Sequence, residues 1–173
     1  FVNSRFKHPL DAQLEFFAQS MRGFQLGGFS AGDHFFNAML AVVTIEAALA
    51  RDCVDIDATA RVRRDVAEAL APYGGQVRAY AQVVADQADT DSDEVLPELC
   101  ASRSSLQYLL DEYRASPAAV AIEPEDVARF DQDLRRLISE KGAMPATEVL
   151  LGISPSHWWW YPPRDAGAGA GAA

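Results

Sequence analysis

The side chains best suited to chemistry here are the carboxylates, three histidines and two cysteines, and their spacing limits what they could do. The run Asp89-Thr90-Asp91-Ser92-Asp93-Glu94 opens like a calcium loop. Such a loop needs glycine at its sixth position and glutamate at its twelfth, where this chain has Glu94 and Cys100. A solvated acidic loop is the better account. Asp52, Asp55 and Asp57 form a weaker cluster that suits helix ends and caps. Helical proteins can hold a di-metal centre with Glu-x-x-His motifs, but none occurs, and His8, His34 and His157 are scattered. Cys53 and Cys100 lack close partners at zinc-ligand spacing and are expected to be two ordinary buried thiols. No metal or cofactor is expected.

Nucleophilic and phosphate-binding signals fail similarly. There is no Gly-x-Ser-x-Gly elbow, and no cysteine–histidine pair can be nominated from spacing. Gly23, Gly27 and Gly28 are followed by no Gly-Lys-Ser/Thr and preceded by no strand, which makes them an interhelical turn. His34 stands early in a helix beside Phe35, and with Phe24 and Phe29 it could line a small pocket. Satisfaction by local hydrogen bonds is the plainer role for that histidine.

One segment remains. Trp158-Trp159-Trp160-Tyr161, flanked by His157, Pro162, Pro163 and Arg164, gathers every tryptophan of the chain. The prolines predict an extended course, along which neighbouring rings point to opposite sides. Tryptophan and tyrosine give large contact area at low entropic cost, so His157, Trp158, Trp159, Trp160, Tyr161 and Arg164 read as a docking arm. The alternative is a segment that folds back to cover a groove between the chain's own helices.

The elements that would position these residues are helical throughout. Pro9 suits a first helical position ahead of Leu10, Leu14, Phe17 and Met21, with a stop near Gly23. Ser30 and Asp33 resemble a capping box for a helix over 31–52 that is apolar on nearly every side and therefore central. Its apolar run, Phe35 to Ala50, is broken by Asn37, Thr44 and Glu46 and is expected to be a core helix instead of a membrane span. Asp57 could cap a helix carrying Val62, Val66 and Leu70, after which Pro72-Tyr73-Gly74-Gly75 should break or kink the chain. Val77, Tyr80, Val83 and Val84 mark another helix, and the stretch over 102–114 a further one. Val127, Phe130, Leu134, Leu137 and Ile138 form a helical stripe over 124–141 that Gly142 should end, with Glu125–Arg129 and Asp131–Arg135 as pairs along it. A short turn over 146–151 would complete an all-α bundle of five to seven helices, residues 1–152, followed by an extended arm and Gly/Ala tail, 153–173.

Net charge is −10, and Lys7 and Lys141 are the only lysines. Such a field disfavours nucleic acid and anionic membranes. The sequence therefore points to a non-catalytic interaction protein: an accessory subunit, adaptor or inhibitor-like partner. It would hold another chain that is basic or has an apolar groove, or a second copy of itself. One alternative is a small-molecule-binding or enzymatic helical domain with the pocket at Phe24, Phe29, His34 and Phe35. Another is a folded leader whose C-terminal segment a partner enzyme modifies. A cytoplasmic location is expected, and the start at Phe1 leaves a processed upstream segment open.

Overall fold

The longest apolar stretch becomes the centre of the molecule. In the computed structural model, which describes residues 8–89, 96–142, 144–145 and 147–161, α1 (Leu10–Leu26) lies along α2 (Ala31–Arg51). Every residue of α2 from Ala41 to Leu49 is buried. Around this pair stand α3 (Ile56–Leu70), α4 (Gly74–Asp89), α5 (Leu96–Glu112), the single turn α6 (Pro117–Val120) and α7 (Pro124–Lys141). Helix α5 packs against α2, and α4 bridges to α5, α6 and α7. No strand occurs among the described residues. The fold is an all-α bundle.

Several local expectations change for physical reasons. Helix α1 runs through Gly23, because that glycine serves a close approach. A Cβ there would stand 2.7 Å from the His34 ring of α2. The helix stops at Gly27, whose φ of 74° favours glycine. Ser30 makes no side-chain cap on α2. Asp55, two residues before Asp57, caps α3 by accepting from the Asp57 and Ala58 amides. At Pro72 the expected break or kink takes the form of a 3-10 turn, Ala71–Tyr73, leading straight into α4. Val83 is half exposed instead of facing inward. Helix α5 starts six residues ahead of the expected Ser102, bringing Leu99, Cys100 and Ala101 into the core. Cys53, expected to be buried, is exposed at the α2–α3 turn with a left-handed φ of 49°.

The stripe on α7 is where the sequence places it, with Phe130, Leu134, Leu137 and Ile138 buried. Its charges go elsewhere. Arg129 pairs with Asp86 of α4 at 2.8 Å and with Asp126 at 3.3 Å, while Asp131 binds Arg103 of α5. By length and composition alone α2 could cross a membrane, but 67% of its most apolar window is buried inside the bundle.

Candidate functional site

Of the four residues named for a pocket, three lie on the packed α1–α2 pair and the fourth on the turn between those helices. Phe24 packs against Phe35 at 4.9 Å between ring centroids and edge-on against Tyr73 at 5.1 Å. His34 lies on Gly23. Phe29 leaves the group entirely and is 111% exposed on the α1–α2 turn.

The aromatic segment is built onto α5. Trp158–Trp160 form one 3-10 turn in place of the extended course expected there, so Trp159 and Trp160 both turn inward. Both indoles, with His157, meet a single buried hydroxyl. Trp159 Nε1 donates to Ser104 Oγ at 3.0 Å and Trp160 Nε1 at 2.8 Å, and His157 Nδ1 lies 3.0 Å from the same oxygen. A hydroxyl has one proton and two lone pairs, and an indole N–H can only donate. The Ser104 proton must therefore go to His157 Nδ1, which makes the neutral ring the Nε2–H tautomer. That Nε2 and Arg103 Nη1 are buried without a hydrogen-bond partner among the described residues.

Stacking completes the arrangement. His157 lies flat on Trp159 at 4.9 Å and meets Tyr108 edge-on at 4.6 Å. The Arg103 guanidinium, held by both oxygens of Asp131, sits 4.5 Å from the Trp159 ring centroid. Burial, and secondarily Arg103, lowers the His157 pKa from 6.5 to about 4. The Cys100 thiol donates to the Trp159 carbonyl, and burial pushes its pKa far above the ordinary range. Trp158 is half buried, 4.2 Å from the Arg135 guanidinium. Tyr161 is also half buried and donates to the Ile153 carbonyl. Arg164 lies outside the described residues. Ser104 was not singled out by sequence, although a signal existed. The small side chains Ala101, Ser102, Ser104 and Ser105 are all buried on α5, which leaves the volume that large rings must fill.

A second constellation joins residues that sequence reading kept apart. Glu46 of α2 is 3% exposed. Its Oε2 accepts from Arg63 Nη2 at 2.7 Å and its Oε1 from Tyr113 Oη at 2.7 Å, with Arg63 Nε between the two oxygens. Arg63 also pairs with Glu112 at the surface. Burial first, and then the Glu46 charge, raises the Tyr113 pKa well above that of a free phenol. Glu46, Arg63 and Glu112 form one side of a cleft of about 530 Å³, and Tyr108 and the segment over 152–155 form another. The segment reaches α2 only because residue 152 is glycine. Its φ is 86°, and a Cβ would stand 2.3 Å from the Ala47 carbonyl oxygen. The Ser154 amide then donates to Tyr108 Oη at 3.3 Å. Both oxygens of Glu46 are thus engaged, by Arg63 and by Tyr113.

Among the described residues no three His, Cys, Asp or Glu side chains are grouped to hold a metal ion. Comparisons with protein-family models, curated proteins and solved structures find no match.

Proposed function

We propose that this chain is a non-catalytic protein-interaction module that grips a partner through the α1–α2 turn. The observation carrying this reading is the pair Leu26 and Phe29, 87% and 111% exposed and three residues apart. Isolated exposed apolar residues are ordinary, but an aromatic knob on a braced turn is a low-entropy anchor. The bracing comes from the Gly27 amide bonded to the Phe24 carbonyl, the Ala31 amide bonded to Gly28, and Phe24 wedged against Phe35 and Tyr73. With a net charge of −10, a partner bearing basic residues around an apolar socket is the complementary surface. On this reading the aromatic segment acts mainly by consolidating the body, since His157, Trp159 and Trp160 are buried. Trp158 and Tyr161 retain partly open faces.

The test is purification of the tagged full chain from its native cells, with quantitative mass spectrometry and light scattering. Wild type should carry one stoichiometric protein or form a dimer, and Phe29→Asp should lose that association without a change in helical content. A wild-type monomer with no stoichiometric companion refutes the proposal. So does an association that Phe29→Asp leaves intact.

A further inference from the structure

The cleft between α2, α3 and α5 holds an uncompensated charge. Two carboxylates, Glu46 and Glu112, face the guanidinium of Arg63, and among the described residues no other charged side chain lines the space. One negative charge is left over, and it falls toward Glu112, which meets Arg63 through one oxygen while Glu46 is engaged on both. The excess is felt across the cleft. Burial is the main reason the Tyr108 phenol rises to about 12, and Glu46 and Glu112 push it the same way. Leu49, Ala50 and Ile153 supply an apolar wall beside this charge. A volume near 530 Å³ falls within the range of small-molecule sites.

We propose that this cleft binds a small organic cation, an ammonium or amidinium on a short apolar body. Glu112 is its counter-ion, and Leu49, Ala50 and Ile153 pack against the body. An organic anion fits poorly. Arg63 presents Nε and Nη2 to Glu46 and Nη1 to Glu112, so a ligand carboxylate would have to displace one of them while facing the other. A hard metal ion fits no better, because it needs several oxygen ligands and among the described residues no third His, Cys, Asp or Glu side chain joins the two carboxylates. The site is separate from the α1–α2 turn and does not depend on it.

Isothermal titration calorimetry on the full chain tests this, with benzamidine and cyclohexylammonium as cation probes and benzoate as the matched anion. At least one cation should saturate at one site per chain, weaken as salt rises, and outbind benzoate by about tenfold or more. Glu112→Gln should weaken that cation by about tenfold. Ala50→Trp, which keeps every charge but fills the cleft at an exposed helix position, should abolish binding even if Glu112→Gln folds poorly. Three outcomes overturn the proposal. Benzoate could bind as well as the cations, cation binding could survive Ala50→Trp, or neither cation could saturate up to about 10 mM.

Discussion

Replacing Ser104 with alanine removes one oxygen and strands three buried groups. In the native fold that oxygen takes the N–H of Trp159 and of Trp160 and gives its proton to His157 Nδ1. Ser104, Trp159, Trp160 and His157 are each no more than 2% exposed, so water cannot replace the lost partner without local opening. A buried polar group left unsatisfied costs about 1–3 kcal/mol. Three groups sharing one partner are not fully additive, which places Ser104→Ala at about 3–6 kcal/mol. Tautomer exchange in His157 gives no relief, because an Nδ1–H would face the same void. Against a domain stability of about 5–15 kcal/mol this is a severe loss. The assay is urea unfolding at neutral pH, followed by far-ultraviolet circular dichroism and by tryptophan emission. All three tryptophans are adjacent, so emission reports this segment while dichroism reports the helices. Emission should shift to the red at lower urea than in wild type, ahead of or together with helix loss. Ser105→Ala is the comparison, since Ser105 bonds the Ser102 carbonyl and the Tyr80 hydroxyl, and it should lose about 1–2 kcal/mol. A Ser104→Ala protein within about 1 kcal/mol of wild type, with unshifted emission, would refute the three-bond account.

Acid should act on the same cluster. The folded His157 pKa of about 4 lies below the ordinary 6.5, so between these values the unfolded chain binds the extra proton and stability falls with pH, by up to about 3 kcal/mol. In His157→Asn the side-chain oxygen can still accept from Ser104 but cannot titrate, so stability curves from pH 7 to 4 should be flatter than wild type, and equal slopes contradict this. Gly152→Ala should destabilise by about 2–5 kcal/mol, combining a left-handed backbone with a methyl driven into the Ala47 carbonyl. A normal melting temperature for that variant would show that the 152–155 segment does not rest on α2. Cys53→Gly should be neutral or stabilising by up to about 1 kcal/mol, because φ 49° suits glycine, and a clear loss on chemical unfolding would argue against that conformation.

How far the sequence reaches depends on whether the deciding interaction is local. The all-α class, the central position of α2 and the α7 stripe follow from periodicity, because a 3.6-residue repeat dictates which side chains share a face whatever they later touch. Gly142 closes α7 as expected, since a left-handed stop is a property of the backbone there. Gly23 and Gly152 look no different in sequence. One is a mid-helix seat for His34 and the other the point where a loop meets Ala47, roles that exist only once two segments are adjacent. The same holds for Asp131, which lies four residues from Arg135 but pairs with Arg103.

Composition and periodicity thus determined on their own that this chain forms an acidic bundle of helices with an unusual cluster of indoles. They could not determine what the indoles do. Whether a tryptophan faces a partner or its own core depends on whether a cavity of matching size and a polar atom for its N–H exist nearby. Here both come from α5, more than fifty residues earlier, through the small buried side chains around Ser104. The cleft is likewise a tertiary product. Glu46, Arg63, Glu112 and the 152–155 segment come from four separate parts of the chain. A lone glutamate within an apolar helix reads only as an interruption until the fold brings Arg63 and Tyr113 to it. The burial that makes its charge costly to leave unpaired is set by packing, and packing is not written in local sequence.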